Sequence, residues 1–434
     1  MQHALNGGAP APAADRGNFI PVRKTDILDA LVEHGAFADE SQRDRFRQIC
    51  KVLAAVYHYE YFDRLETLRH AYYYFSPELS PHARFSPDAI DRAYAELVEQ
   101  LTAVLKGANF VEVSHEEIER AHREDVAVRV ETRAPLEDFR DVRFFRRGQH
   151  RESFEIPRWY GFGTDTIEAA VYDDVVLFVA LKPDAHEAHK QHRRTLQRRT
   201  RPGSVLIKYF RNIASSDLNA LFPNVQVVMS TFDKLFLGVP AIAGGIPILL
   251  NLASTVTVLF LVAGFYLGVS AAVEEDQMKA AFAAMSGLVA LGGFIMRQWM
   301  KYQRQSLMYE KQLTDNIYFR NVNNNAGIFD YIIGAAEEQE CKEAFLAYYF
   351  LQQGPLTQPE LDRRIETWLK DTFDLDTDFE VDDALAKLDR LGLLRRDGER
   401  ITVPPPEDAL ARLDTVWDNY FQYNKAGAEA PLAR

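Results

Sequence analysis

Two stretches decide how this chain is read: Ile246-Pro-Ile-Leu-Leu-Asn-Leu-Ala-Ser-Thr-Val-Thr-Val-Leu-Phe-Leu-Val-Ala-Gly-Phe-Tyr-Leu-Gly-Val269 and Ala280-Ala-Phe-Ala-Ala-Met-Ser-Gly-Leu-Val-Ala-Leu-Gly-Gly-Phe-Ile-Met296. No side chain from Leu235 to Val273 is charged, a run too long for a single span of about 20 residues. Gly238, Pro240, Gly244, Gly245 and Pro247 interrupt its first part. Leu235 to Gly245 therefore reads as an interfacial lead-in, and 246–269 as a first transmembrane helix. The second run rises about 25 Å at ~1.5 Å per residue, short of a ~30 Å hydrocarbon core. A second span over 280–299 needs Arg297 to snorkel, with Trp299 and Tyr302 at headgroup depth. The expectation is a transmembrane hairpin.

Charge orients it. The bridge Ser270 to Lys279 carries Glu274, Glu275 and Asp276, whereas Arg297, Lys301, Arg304 and Lys311 follow the second run. An excess of Lys and Arg marks the cytoplasmic flank, so an even number of spans puts both termini there. Small residues four apart, Gly264 with Gly268 and Ala283 with Gly287, let helix backbones approach closely. These four are the expected helix-packing positions, within one hairpin or between protomers.

Outside the hairpin the composition is that of a folded protein. The 434 residues are 47% hydrophobic and 26% charged, with a formal net charge of −13. That balance disfavours nucleic acid, whose phosphates need a basic face. Two distant cysteines, Cys50 and Cys341, form no disulfide framework or metal spacing. Residues 1–18 and 422–434 read as disordered tails, and the first of them lacks the basic-then-apolar pattern of a signal peptide.

The remaining segments divide by period. Residues 19–125 are helical: Phe46, Ile49, Cys50, Leu53, Val56 and Tyr57 recur at 3.6-residue spacing, and Ser86 is placed to cap a helix reaching Lys106. Ser114 and Glu117 have capping-box spacing. Over 126–234 the period drops to two. Val126, Val128 and Val130 alternate with Ala127, Arg129 and Glu131, and Val142–Arg146, Ile167–Val171, Val205–Phe210 and Val225–Met229 read as strands. Val175 to Leu181 is apolar throughout, as a central strand would be. Short connections predict a mainly antiparallel α+β arrangement. Residues 301–340 read as a helical connector, with a polar turn at Tyr318–Asn325. Residues 341–421 contain three helices and a hairpin turned at Asp397-Gly398, the order of a winged helix.

Few constellations suggest chemistry. From Lys342 onward 12 Lys and Arg face 19 Asp and Glu, and the third helix opens on Asp382-Asp383. A helix of that charge is repelled by phosphate, so the winged helix points to protein contact rather than DNA. Lys190, Arg193, Arg194, Arg198, Arg199 and Arg201 form the densest basic run, suited to a solvated loop, to anionic lipid or to an acidic partner. His186, His189 and His192 share that run, whose charge opposes a metal cation. Asp374, Asp376, Asp378, Glu380 and Asp382 alternate as in a calcium loop, but Phe379 and Leu385 stand where Gly and Glu are required. Asp173, Asp174, His58 and Glu60 are the candidates for acid–base work, without a third partner in the sequence. No cofactor fingerprint, phosphate loop or nucleophile elbow is present.

Phe19-Ile-Pro-Val-Arg23, Tyr57-His-Tyr-Glu60, Tyr172-Asp-Asp-Val-Val176, Ala214 to Pro223, Asp233 to Pro240, Asn323-Asn-Asn-Ala-Gly327 and Glu340-Cys-Lys-Glu-Ala344 together resemble an uncharacterised two-span membrane family that includes the mitochondrial transmembrane protein 143. The resemblance implies a membrane protein without an established activity and brings no catalytic residues. The missing Arg- and Ser-rich leader favours a bacterial-type cytoplasmic membrane over the mitochondrial inner membrane. The functional expectation is a membrane-anchored, non-enzymatic adaptor or regulator, alone or as a homo-oligomer. The rivals are a membrane-proximal enzyme built on the α+β domain and an oligomeric pore or transporter.

Overall fold

The structure is a computed structural model. It describes residues 17–35, 37–79, 85–114, 116–117, 130–133, 139–157, 164–183, 201–222, 226–229, single positions and short runs between 264 and 307, and 318–420. The chain forms two compact units, each discontinuous in sequence. The first comprises Met1–Glu117, Glu137–Ser215 and Asn321–Arg434, and the second Ile118–Leu136 and Ser216–Arg320.

The first unit begins with helices α1 (Lys24–Glu33), α2 (Glu40–Tyr73) and α3 (Pro87–Gly107). Asp39 caps α2 by accepting from the Gln42 N–H, and Ser86 caps α3 by accepting from Ala89. These side-chain oxygens satisfy N–H groups that have no partner within the helix. Strand β1 (Val111–Glu112) follows. In the second unit β2 (Val130–Arg133) pairs antiparallel with β6 (Gln226–Met229), from Val130 opposite Met229 to Arg133 opposite Gln226.

The main sheet contains β1, β3 (Phe139–Pro157), β4 (Thr164–Leu181), β5 (Val205–Ala214) and β7 (Asn321–Asn324), neighbours in that order and antiparallel throughout. Val175 to Leu181 does lie in the central strand, and all seven residues are buried. The segments expected as two strands, 167–171 and 175–181, are one continuous strand, because β3 and β4 keep the same register on both sides of Asp173, from Arg147 opposite Asp174 to Gln149 opposite Tyr172. The polar stretch 318–325, expected as a turn, contains edge strand β7. Asn325 then adopts φ 53 and its N–H donates to the Ile207 carbonyl at 2.7 Å. A Cβ on the next glycine, Gly327, would fall 2.6 Å from Asn323 Oδ1, so the turn into the following helix has no room for a side chain there.

That helix, α4 (Gly327–Gln352), packs on α1, α2 and α3 and on the C-terminal helices α5 (Gln358–Phe373) and α6 (Val381–Arg390). The hairpin of β8 (Arg395–Asp397) and β9 (Arg400–Thr402) follows, with Gly398 at φ 60 in its turn, and α7 (Pro406–Asn419) ends the described chain. Leu356 bridges to Ile401. Helix, bridge strand, two helices and hairpin are the winged-helix order. One apolar core joins α1, α2 and α4 to this module through Phe46, Tyr57, Tyr348, Leu361, Leu385 and Leu413. A second lays α2, α3 and α4 on the sheet through Leu68, Leu97, Phe178, Ile207, Phe329 and Ile332. Each such side chain contributes about 1.5–3 kcal/mol on full burial.

The expected transmembrane hairpin is overturned. Among the described residues no helix is long and apolar enough to cross a membrane. Gly264 is helical, but the chain turns at Leu267–Gly268, and Gly268 takes φ 76, which a continuing α-helix does not use. At the second run, residues 292–297 are helical, and Trp299, Lys301 and Arg304 are helical positions too. The charges of Arg297, Lys301 and Arg304 limit the apolar length there to less than the roughly 20 residues a span requires. The two-span topology, the cytoplasmic placement of both termini and the bacterial-type membrane rested on that hairpin and fall with it. Residues 246–263, Ala283 and Gly287 lie outside the described residues. Gly264 and Gly268 are described, and among the described residues an added Cβ at Gly268 meets nothing within 4 Å.

Candidate functional site

Helix α4 carries a polar sequence, Glu337-Glu-Gln-Glu-Cys-Lys-Glu343, in the middle of an otherwise apolar element. Four elements supply partners. From the N-terminal strap and the start of α1, Lys24 Nζ pairs with Glu337 at 3.0 Å, and its backbone N–H donates to Glu338 at 2.5 Å. The Ile20 carbonyl accepts from Gln339 Nε2 at 3.1 Å and from Lys342 Nζ at 2.7 Å. From α2, the Tyr61 hydroxyl donates to Glu340 at 3.1 Å, and His58 Nδ1 lies 2.8 Å from Glu337. From the end of α3, Asn109 at φ 59 donates to Glu343 at 3.2 Å. From α6, Lys387 contacts Glu340 at 3.1 Å and Asp383 at 2.8 Å, and makes a short contact with Glu343.

Glu343, Lys387 and Lys342 are all buried. Burial pushes the Glu343 carboxyl up to about 7, against the opposing pull of Lys387. Burial alone would lower Lys387, but Glu343, Glu340 and Asp383 together raise it. The two directions are consistent: one ammonium serves three carboxylates, so the ammonium is held charged while the most buried carboxyl takes up a proton. Lys342 has no such surplus, and burial brings it down to about 8.

A second buried ion pair lies where the strap meets the sheet. Arg147 on β3 donates to Asp174 on β4 through Nε at 3.0 Å and through a terminal nitrogen at 2.5 Å, and to the Ala108 carbonyl at 3.2 Å. The Phe19 and Phe110 rings lie 4.2 and 4.6 Å from its guanidinium carbon. Arg211 Nε reaches the other Asp174 oxygen at 3.3 Å. Strand period two sends the adjacent Asp173 to the opposite face, where His150 Nδ1 lies 2.6 Å away. Gly148, at φ 65, makes room for it, since a Cβ there would fall 2.1 Å from Asp173 Oδ2.

The residues singled out from sequence for acid–base work therefore do not converge. Asp174 is tied to Arg147 and Arg211, Asp173 to His150, His58 to Glu337, and Glu60 to Arg390 at 3.0 Å and the Tyr420 hydroxyl at 2.5 Å. Among the described residues no group of three or more His, Cys, Asp or Glu is placed to hold a metal ion. That includes the acidic connector Asp374–Asp382, in which Asp374 serves as the left-handed cap of α5. Of the basic run, Lys190, Arg193, Arg194, Arg198 and Arg199 lie outside the described residues, as do the three histidines. Arg201 is described, donating to the Tyr74 carbonyl at 2.8 Å. Cys50 and Cys341 are buried free thiols, both raised by burial, Cys341 to about 12. Sequence reasoning missed Asn109, Arg147, Lys342, Glu343 and Lys387. The available signal was a run of charges inside an apolar helix, where each must find a partner.

Three clefts of this unit are lined by described residues, and these three do not include His58, Asp173 or Asp174 in their walls. One of about 810 Å³ runs between Lys106, Arg146 and Arg147 on one wall and Asp378, Glu380, Asp382 and Asp383 on the other. Asn18 crosses it, donating to Glu380 at 2.6 Å. A second of about 660 Å³ lies over Glu60, Glu340, Lys387 and Tyr420. The third, about 740 Å³, lies between α5 and the wing.

A family model described as a protein of unknown function (DUF3754) matches residues 172–327. The matched span takes in Asp173, Asp174, Arg211 and the β7 turn, and stops at the first residue of α4. No solved structure matches the chain.

Proposed function

We propose that this chain is a non-catalytic adaptor whose winged-helix module offers a protein-contact surface. The observation that carries this reading is the orientation of α6. The helix turns Lys387 inward onto Glu340 and Glu343, and its outward positions are Asp382, Asp383, Ala386, Asp389 and Arg390. Arg390 is itself paired with Glu60. A recognition helix in the major groove needs the opposite arrangement, with cations facing phosphate. The buried ion pairs also support it: they tie the module to α4, and Lys387, Glu340 and Glu343 are engaged with one another.

Affinity capture with the full chain tests the reading. A protein retained by the wild type and lost from D382K/D389K, with the thermal melt unchanged, is the expected outcome. Capture that ignores the reversal, or saturable binding of a 20-base-pair duplex by the wild type, overturns it.

A further inference from the structure

The cleft between α5 and the wing has a composition unlike the rest of its module. Its floor is apolar: Phe350, Leu356 and Trp368, all buried. Its rim carries Arg363 and Arg364 from α5 and Arg400 from β9. The fold places them together. Residues 360, 363, 364, 367 and 371 share one face of α5, and the bridge between Leu356 and Ile401 lays the wing alongside that face. His34, at the end of α1, closes one side. Its Nδ1 lies 2.7 Å from the Tyr349 hydroxyl, and its ring meets Trp368 edge-on at 6.4 Å.

The charges around this floor are unbalanced. Among the described residues none of the three arginines lies within ion-pair distance of a carboxylate, although the Thr357 hydrogen bonds, with help from Arg400 and Arg363, hold the Glu360 carboxyl below its ordinary range. Glu360, the nearest candidate partner, is turned to its own helix terminus and accepts from the Thr357 N–H at 2.8 Å in a capping box. Asp371 is the one other carboxylate of the rim. Three guanidiniums are thus gathered over an aromatic and aliphatic floor in a chain of net charge −13.

We propose that this cleft binds an acidic protein segment, with the carboxylates on Arg363, Arg364 and Arg400 and a bulky apolar side chain on the Trp368–Leu356 floor. A guanidinium offers a fork of donors matched to a carboxylate, and an apolar anchor in a pocket is the usual energetic centre of a peptide interface. Nucleic acid has the same sign of charge but fits poorly, because a phosphate rail brings no bulky apolar side chain to the Trp368–Leu356 floor. The inference rests on the adaptor reading and adds to it a second contact, for an acidic segment, distinct from the acidic face of α6.

Fluorescence anisotropy with the full chain and a labelled peptide, Glu-Glu-Phe-Asp-Glu-Leu-Glu-Glu, tests it. Saturable binding is expected, weakened about tenfold or more by R363E/R400E and weakened less by R363K/R400K, which keeps the charge without the fork and guards against a folding defect. A peptide with Ser in place of Phe and Leu should bind more weakly than the parent. No saturable binding, an unchanged affinity in R363E/R400E, or equal competition by a 20-base-pair duplex overturns the proposal. If these fail while D382K/D389K still abolishes capture, the cleft assignment is wrong and the adaptor reading stands. If both fail, neither stands.

Discussion

Helix α4 and the stretch from Ala280 to Trp299 look alike as sequences, both rich in large apolar residues, yet the structure treats them in opposite ways. In α4, Ile328, Phe329, Ile332, Phe345 and Leu346 are each no more than 2% exposed. In the second unit Phe282, Val289, Ile295 and Trp299 stand 57% exposed or more. Apolar content therefore does not decide environment; the supply of partners does. Around α4, two faces of core converge from helices and sheet, and even its charged centre is complemented residue by residue. That complementation is what the following variants probe.

The largest effect is expected at Lys387. Replacing it with alanine (K387A) leaves Glu343 and Glu340 without their cation, and removing one member of a buried ion pair costs about 3–5 kcal/mol. Urea unfolding would show the loss as a lower midpoint at unchanged slope. The double replacement K387M/E343M removes the two most buried charges and should recover part of the stability, Glu340 still lacking its cation. If K387A alone unfolds at the wild-type midpoint, the ion pairs of Lys387 are not holding α6 against α4.

The apolar comparison can be broken next. Ile332 is fully buried against the sheet, so I332A should cost about 2–5 kcal/mol, the transfer and cavity terms together. Val289 is 72% exposed, and V289S should stay within about 0.5 kcal/mol, as surface substitutions do. Comparable losses in the two variants, read from thermal melts of the full chain, would show that Val289 is packed in solution and that the contrast does not hold.

Much of the first unit was legible before any coordinates. The 3.6-residue spacing of Phe46 through Tyr57, the Ser86 cap, the apolar run at Val175 and the Asp397-Gly398 turn are local signals, and local physics decides them. Strand β7 was not legible, because Asn321–Asn324 has little strand propensity and becomes a strand by pairing along the edge of β5. The joined β4 escaped notice because Asp173 and Asp174 resemble a break. One of them is instead satisfied by arginines and the other by a histidine. The polar centre was the least readable: Asn18 and Glu380 meet across 362 positions, and His58 and Glu337 across 279. The hairpin reading failed for a related reason. An apolar run implies burial, but it does not state in what, nor how long the helix through it will be.

The smallest effect expected is a change of slope, and it concerns the proton held at the α4–α6 centre. Glu343 has a folded-state value raised from the ordinary carboxylate range to about 7 by burial, partly offset by Lys387. Between about pH 4.5 and 7 the unfolded chain has already released this proton while the folded chain still binds it. Stability contributed by this group is therefore greatest at the acid end and falls as pH rises through that window. Other carboxylates with lowered values push the whole protein the opposite way, so the quantity to measure is the difference between wild type and E343Q. Glutamine keeps the shape and the acceptor for Asn109 but has no proton to lose. Relative to E343Q, the wild type should lose stability on the order of 1–3 kcal/mol between pH 4.5 and 7.5. Lys387, raised by three carboxylates, stays charged throughout this window and adds no slope of its own. A wild-type curve parallel to that of E343Q would mean that Glu343 is fully ionised in the fold. The ammonium of Lys387 would then belong mainly to Glu343, and the loss expected for K387A would move to the top of its range.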